Sequence, residues 1–122
     1  AAAVSTVIND GAANTYPVIT FRNTSTTPQR LYQLLNTRTG DGIWFNLSVL
    51  PDERVTLDLR NNQKTLTSDY RGNLLGAVMP GSNLTTWKLT PGTNTISVFA
   101  ASESVETSFV WRNRAWSSDP RL

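Results

Sequence analysis

Hydrophobic and polar residues alternate along the stretch from Ile43 to Val49. Every second residue there is apolar, and the positions between carry Trp44, Asn46 and Ser48. A period of two places successive side chains on opposite faces of a β-strand. The pattern therefore predicts a strand with one face in the core and Trp44 on the other face.

Three further stretches show the same alternation, residues 55–60, 96–100 and 105–111. The link between the strands predicted at 43–49 and 55–60 is short enough for a hairpin. Between the last two stretches, residues 102–104 are predicted to turn the chain. Strands with one polar face of this kind are typical of antiparallel sheets.

Two apolar segments do not alternate in this way. In residues 29–36, Leu31, Leu34 and Leu35 have helical spacing, so the segment is compatible with a strand or with one or two helical turns. Residues 74–79 are apolar but bracketed by Gly and Pro, which favours a buried loop or a short strand.

Clusters of turn-forming residues separate the predicted strands. They lie at residues 9–11, 26–28, 39–42, 51–53, 60–62, 69–72, 80–82 and 91–94. Short strands separated by turns at this spacing are typical of a sandwich or barrel. With 122 residues, the chain is predicted to form one all-β domain over residues 1–122, an antiparallel β-sandwich.

Composition excludes several classes of function. The absence of Cys and His removes disulfides, thiol chemistry, the commonest metal ligands and the commonest general base. A net charge of +2 gives no reason to expect a nucleic-acid partner or a polybasic membrane contact. No apolar run approaches the ~18 residues of a membrane helix. Because the chain begins with Ala1 rather than Met, we expect an excised domain or a processed product.

Two carboxylate pairs, Asp52/Glu53 and Glu103/Glu106, are the remaining candidates for glycosidase chemistry. The first pair follows Pro51 in a predicted turn, where acidic residues are common. In the second pair, Glu103 lies in a predicted turn and Glu106 points outward from a strand. We therefore expect solvated charges at all four positions and no catalytic residue.

Other catalytic or metal-binding arrangements are equally weak. A Ser nucleophile would need Lys64 or Lys88 as its base, and neither lies in a recognisable motif. Asp10 and Asp41 lie in turns without the spaced run of acidic ligands that Ca²⁺ requires. The sequence therefore indicates no enzyme, no cofactor and no metal site.

The aromatic residues divide into two groups. Phe45, Phe109 and Trp111 lie on the apolar faces of their strands, which predicts core packing. The second group lies off these faces, and with two nearby arginines it forms the candidate interaction surface: Trp44, Tyr70, Phe99, Arg112, Arg114 and Trp116. Packing under a loop, a protein interface and a ligand platform all remain open for these rings. An interface is favoured over a sugar site because Trp and Arg are preferred interface anchors.

An ordered set of short motifs resembles the C-terminal domain of siphophage distal tail proteins and related tail components. The set comprises VINDGAANTYPVITF at 7–21, the strands at 43–49 and 55–59, KTLT at 64–67 with Gly72, WKLTPGTNTI at 87–96 and WRNRAW at 111–116. The resemblance spans about residues 4–116. In one departure, residues 21–23 stand where the family often has Gly. Gly11 and Gly92 are expected at positive φ in turns, and Pro17 and Pro91 at strand entrances.

The resemblance implies a galectin-like (jelly-roll-like) β-sandwich that serves as a structural part of the tail tip of a long-tailed bacteriophage. The domain would be the C-terminal part of a longer tail protein, with other tail proteins as partners. It would be monomeric or weakly associated in isolation, and the full-length protein would form a homo-oligomeric ring. The protein would assemble in the bacterial host cytoplasm and reside in the virion.

Three functional hypotheses follow. The leading one is a non-enzymatic structural domain that docks onto neighbouring tail proteins or decorates the tail-tip ring. The second is a carbohydrate-binding module that uses the off-core aromatic rings to contact host cell-surface saccharide. The third and weakest is a glycosidase that uses Glu103 and Glu106.

Overall fold

A computed structural model of the chain describes residues 2–60, 64–102, 104–111 and 114–117, and at positions 2, 3 and 114–117 it describes the backbone alone. Ten strands are assigned in this part of the chain. They are β1 (Ala2–Asn9), β2 (Val18–Asn23), β3 (Gln29–Asn36), β4 (Asp41–Val49), β5 (Arg54–Asp58), β6 (Thr65–Ser68), β7 (Gly72–Asn73), β8 (Gly92–Ala100), β9 (Val105–Trp111) and β10 (Arg114–Ser117).

The strands form two antiparallel sheets that pack as a sandwich. The four-stranded sheet has the order β1-β8-β3-β4, and the six-stranded sheet has the order β10-β9-β2-β5-β6-β7. The predicted antiparallel β-sandwich is therefore confirmed. The chain crosses between the sheets repeatedly, since β1, β3, β4 and β8 lie in one and the remaining strands in the other.

The core lies between the inward faces of the two sheets. Phe21 on β2 and Phe45 on β4 meet edge-to-face across it, with ring centroids 5.9 Å apart. Phe45, Phe109 and Trp111 are all buried, which confirms their predicted core positions. The alternation predicted for residues 43–49, 55–59, 96–100 and 105–111 is also confirmed in the burial of their side chains.

The prediction that residues 50–54 link two strands of a hairpin is wrong. β4 belongs to the four-stranded sheet and β5 to the six-stranded sheet, so this link crosses the edge of the sandwich. Asp52 adopts a φ of 61° in the link, and its amide donates to the carbonyl of Asn23, 2.8 Å away. Alternation predicts which face of a strand is buried, but it does not distinguish a hairpin from a connection between facing sheets.

The ambiguous segment at residues 29–36 is strand β3. Its pairing with both neighbours shifts register between Leu31 and Gln33. This irregularity puts two inward residues, Leu31 and Leu34, three positions apart instead of two, and both are fully buried. The spacing that suggested a helix is thus produced by a bulge in a strand.

Residues 74–79 form neither a strand nor a buried loop, contrary to the prediction. A single 3₁₀ turn, Leu75–Ala77, lies beside β4, and Val78 makes an isolated bridge to Phe45. The side chains in this segment are half-buried or exposed. No helix in the part of the chain that the structure describes is long and apolar enough to cross a membrane.

Of the two glycines expected at positive φ, one is confirmed. Gly92 has a φ of 94° at the start of β8, whereas Gly11 lies outside the positive-φ region. The amide of Gly11 instead donates to the side-chain oxygen of Asn9, 3.1 Å away, in a local Asx turn. Pro17 and Pro91 directly precede β2 and β8, as expected for residues at strand entrances.

Candidate interaction surface

The outer face of the four-stranded sheet carries aromatic side chains from adjacent strands. Gln33 on β3 is paired with Phe99 of β8 on one side and with Trp44 of β4 on the other. The two rings therefore project from one row across the sheet, with their backbones roughly 10 Å apart at two strand spacings. The residues flanking Phe99 and those flanking Trp44 are buried, so both rings point away from the core.

Tyr32 belongs to the same surface, although its strand position is irregular. It lies at the register shift of β3, and its ring meets Phe99 edge-to-face with centroids 6.3 Å apart. We call the surface formed by Tyr32, Trp44 and Phe99 the aromatic face. Their exposed fractions are 43%, 38% and 45%.

Trp44 is held close to the sheet by the absence of a side chain at Gly42. A Cβ built on Gly42 would lie 3.0 Å from Cη2 of the indole, which is closer than ordinary van der Waals contact. The ring therefore lies along β4, over the backbone of Gly42. A large aromatic surface held against a sheet loses little conformational freedom when it is covered by a partner.

Charge is sparse on the aromatic face. The four strands carry two side chains that are charged at pH 7, Arg30 and Asp41. Arg30 is exposed on β3 and donates a hydrogen bond to Asn46 on β4. The Asp41 carboxylate lies 3.8 Å from the ammonium of Lys88, at the other end of the paired strands β3 and β4. The aromatic face thus combines exposed rings with one arginine and neutral polar groups.

Of the remaining predicted interaction residues, only Tyr70 has a described side chain, and it lies away from this surface. Tyr70 is exposed, but it lies in the turn between β6 and β7 of the six-stranded sheet. Arg112 lies outside the described residues. Arg114 and Trp116 lie on β10, whose backbone pairs with β9, and their side chains are outside the described part of the structure.

Sequence reasoning missed Tyr32 and Arg30 as members of the surface. Both residues lie in residues 29–36, where the spacing of the leucines was compatible with a strand or a helix. The sequence therefore did not predict whether their side chains point into the core or outward. The alternation of residues 43–49 predicted that Trp44 points outward, but nothing local to either strand indicated that Phe99 would lie two strands away. That proximity depends on the register of β8, β3 and β4.

Glu53 is not the solvated turn residue that was predicted; it is fully buried. Arg71 donates to both carboxylate oxygens, with Nε 2.7 Å from Oε2 and Nη2 2.6 Å from Oε1. Ser68 also donates to Oε2, and the amide of Leu50 donates to Oε1 at 2.9 Å. The carboxylate thus ties the β4–β5 link to the β6–β7 hairpin.

The pKa of Glu53 reflects two opposing influences. Burial disfavours the charged carboxylate and raises the pKa, whereas the hydrogen bonds from Arg71, Ser68 and the Leu50 amide favour the charged form. Together the hydrogen bonds outweigh burial, and the pKa lies below its ordinary value. The carboxylate is ionised and buried, and both of its oxygens accept hydrogen bonds from the protein. It therefore serves the structure and has no free lone pair directed at solvent.

The other acidic candidates form no catalytic pair in the described structure. Asp52 is exposed and forms an ion pair with Arg22 at 3.2 Å. Glu106 is half-buried on β9, and Glu103 lies outside the described residues. Among the described residues, no group of three acidic side chains could hold a metal ion.

A shallow cleft of about 360 Å³ opens on the six-stranded side of the molecule. Arg60 at its rim is engaged by Asp58 in two side-chain hydrogen bonds of 3.0 and 3.2 Å. The ammonium of Lys64 lies 4.7 Å from the centroid of the Tyr16 ring and donates to the carbonyl of Leu59. The cleft is lined by Asn14, Thr15, Tyr16, Val18, Arg60 and Val110.

The described part of the chain is thus an antiparallel sandwich with an outward aromatic face. Comparison with protein families identifies the class further: residues 10–115 match the family of the siphovirus-type tail component, C-terminal domain. The chain belongs to this family, which confirms the resemblance noted in the sequence. Neither curated proteins nor solved structures gave a significant match. The protein is thus a domain of a component of the siphovirus virion tail.

Proposed function

We propose that this domain is a non-enzymatic structural part of the phage tail tip that docks onto neighbouring tail proteins through its aromatic face. It would be one domain over residues 1–122, forming the C-terminal part of a longer protein that assembles as a homo-oligomeric ring in the host cytoplasm. Family membership supports the tail role. The aromatic face supports docking as the way this role is performed.

The observation that carries the proposal is the composition of the aromatic face. Three exposed rings lie on adjacent strands with one arginine and no exposed carboxylate on the same face of those strands. Aromatic residues and arginine are enriched in protein interfaces, whereas Asp, Glu and Lys are depleted. A face of this composition loses little solvation free energy on contact with protein.

Two rows on the opposite side of the sandwich have the composition of a solvated surface, and the row beyond them carries the exposed Val110. On the outer face of the six-stranded sheet, Arg22 is paired with Glu106 and with Arg54, and the next row carries Thr20, Thr56 and Ser108. These charged and hydroxyl groups retain their hydration when the face is open. The contrast between the two outer faces favours the four-stranded sheet as the docking side.

Binding to the other proteins of the same tail tests the proposal. The chain, linked to the part of its protein that precedes it in the full-length sequence, would be mixed with each purified tail component and analysed by calorimetry. We expect the double variant Tyr32→Ser/Phe99→Ser to weaken the interaction at least about tenfold, as expected for interface anchors. Tyr70→Ser, an exposed ring on the other sheet, is the matched control and should bind normally. Absence of binding to every tail component, or equal losses in both variants, would contradict the proposal.

A second candidate function is recognition of host cell-surface carbohydrate. The same rings could stack on sugar faces, with Arg30 and Asn46 supplying hydrogen bonds beside them. Two of the other tryptophans, Trp87 and Trp111, are buried, so a ligand on the aromatic face should change the fluorescence of Trp44. A titration with host cell-wall polysaccharides should then give a saturable signal that Trp44→Phe abolishes. An unchanged spectrum across the polysaccharides would exclude this function for the aromatic face.

A further inference from the structure

The four-stranded sheet has two edge strands, β4 and β1, which differ in how far their outer backbone groups are covered. The edge of β4 is covered at Gly42 and Trp44 by hydrogen bonds from outside the sheet. The amide of Met79 donates to Trp44 O and that of Asn83 to Gly42 O, both at 2.8 Å. Gly42 and Trp44 donate in turn to the side chains of Asn83 and Ser82. This edge is closed to further strands.

The covering extends to the end of β4. The guanidinium of Arg71 donates to the carbonyl of Ser48 at 2.9 Å, and the amide of Leu50 donates to Glu53. In the six-stranded sheet, the edge strand β7 has two residues and β10 has four. Short or covered edges of this kind prevent unplanned pairing between chains.

The edge formed by β1 has none of these protections. The strand runs for eight residues, Ala2–Asn9, and pairs with β8 without a register shift. Its sequence contains no charged residue and no proline. In the part of the chain that the structure describes, β1 pairs with no second strand. A long, regular and uncharged edge favours the addition of another strand.

The outward side chains of β1 are β-branched and exposed. Val4 and Ile8 have exposed fractions of 66% and 57%, and Thr6 between them is also exposed. Val7 is buried, so it faces the core of its own molecule. Both the backbone and the outward side chains of this strand are thus available to a neighbour.

We infer that β1 is a self-association edge that pairs antiparallel with β1 of a second copy of this chain about a two-fold axis. The occupant is argued from the pattern of the strand itself. Directly opposed residues of two paired strands project from the same side of a sheet. If the cores of both copies are to lie on one side of the joined sheet, each outward residue of one β1 must therefore be paired with an outward residue of the other. In the register centred on Thr6, Val4 of each copy faces Ile8 of the other, and the two Thr6 side chains face each other.

This register opposes β-branched residues of the two copies and brings no charges together. β-Branched residues and Thr–Thr pairs stabilise directly opposed positions in antiparallel sheets. Because β1 carries no charge, pairing with itself brings no like charges together. The two four-stranded sheets would become one continuous sheet of eight strands through an isologous interface. The inference goes beyond docking by the aromatic face, and it gives a specific edge and register to the weak association that was one of the two states expected for the isolated domain.

Sedimentation of the chain as a function of concentration tests the inference. We expect a reversible monomer–dimer equilibrium over about 1 μM to about 1 mM, the range of weak interfaces. The variant Val4→Lys/Ile8→Lys opposes like charges at two positions of the proposed register. The matched variant Val4→Lys/Ile8→Glu loses the same apolar groups but opposes unlike charges. The first should dimerise roughly tenfold more weakly than the second.

The control and a second measurement complete the test. Ser97→Lys places a charge opposite Val4 on the adjacent strand β8, on the same face but away from the edge, and should leave the dimer intact. Because the chain has no cysteine, Thr6→Cys should give a disulfide-linked dimer under mild oxidation, whereas Ser97→Cys should not. A wild-type chain that stays monomeric, equal dimerisation of the two charged double variants, or loss of the dimer in Ser97→Lys would overturn the inference.

Discussion

At the scale of single residues, the buried contact between Glu53 and Arg71 determines how two loops are joined. The carboxylate is fully buried, whereas the guanidinium remains about one-third exposed. Removing the cation therefore leaves a buried charge without its main partner, whereas removing the carboxylate leaves a cation that water can reach. The two truncations are not energetically equivalent.

We predict that Arg71→Ala destabilises the fold more than Glu53→Gln does. Arg71→Ala should lower the free energy of unfolding by about 3 to 5 kcal/mol, the range observed when one partner of a buried ion pair is removed and the other charge stays buried. Urea unfolding of the two variants at pH 7 measures the difference. Arg22→Ala, which breaks the exposed pair with Asp52, should cost less than about 1 kcal/mol and serves as the control. A larger loss for Glu53→Gln than for Arg71→Ala would contradict the prediction.

The same contact gives a prediction for pH dependence. The pKa of Glu53 in the folded protein lies below its ordinary value of 4.5. The ionised carboxylate therefore contributes stability above that ordinary value, and the contribution is lost as the pH falls through the lowered pKa. Below pH 4.5, the free energy of unfolding should fall more steeply in the wild type than in Glu53→Gln. Identical acid slopes in the two proteins, measured by urea unfolding, would show that Glu53 contributes nothing to this dependence.

Glu53 also illustrates what local sequence cannot predict. Its position after Pro51 and Asp52 is typical of a turn, and the turn itself is present. The burial of the carboxylate depends on Arg71, which comes 18 residues later and reaches it only because β6 and β7 fold back beside the link. By contrast, the burial of Phe45 and Phe109 was predictable because alternation within one strand is a local property.

At the scale of elements, three strands end in the same way. β1, β2 and β3 each finish with a buried asparagine: Asn9, Asn23 and Asn36. In each, the side-chain oxygen accepts a hydrogen bond from the backbone amide two residues later, and the side-chain nitrogen donates to the carbonyl of a distant segment. One side chain thus starts the turn and also ties it to the rest of the sandwich.

Asparagine is suited to this position because it provides both a donor and an acceptor. Asn36 donates to the carbonyl of Lys88 at 2.8 Å and accepts from the amide of Arg38 at 3.0 Å. Asn94 lies beside Asn36 and accepts from it at 3.2 Å. An aspartate would keep the acceptor but lose the donor, and it would bury a charge facing two oxygens.

We therefore predict that Asn36→Asp destabilises the fold by about 3 kcal/mol at pH 7, the upper range for a buried polar group left without its partner. Asn14→Asp, at an exposed position, should change stability by less than about 0.5 kcal/mol. Thermal unfolding by circular dichroism provides the comparison. Equal melting temperatures in the two variants would contradict the proposed role of the buried asparagines.

Strand boundaries were more predictable than strand partners. The turn-forming clusters predicted where strands end, and the first cluster, residues 9–11, contains the strand-ending asparagine Asn9. The pairing order β1-β8-β3-β4 was not predictable, because it joins segments that are far apart along the chain. For the same reason the sequence identified Trp44 and Phe99 as outward residues without indicating that they share one surface.

At the scale of the whole molecule, the two outer faces of the sandwich differ in chemistry. The four-stranded sheet presents Tyr32, Trp44 and Phe99 with Arg30, whereas the six-stranded sheet presents charged and hydroxyl side chains together with the exposed Val110. The edge of β1 borders the same four-stranded sheet. Both proposed contacts, the aromatic face and the β1 edge, therefore lie on one sheet, and the six-stranded sheet is left for solvent.

Hydroxyl-radical footprinting of intact virions tests the docking surface most directly. Radicals oxidise exposed aromatic side chains, and mass spectrometry of the digested protein gives the oxidation rate at each ring. We predict that Tyr32, Trp44 and Phe99 are oxidised much more slowly in the virion than in the isolated chain, whereas Tyr70 is oxidised at a similar rate in both. Unchanged rates at the three rings of the aromatic face, or protection confined to Tyr70, would rule out docking through the aromatic face.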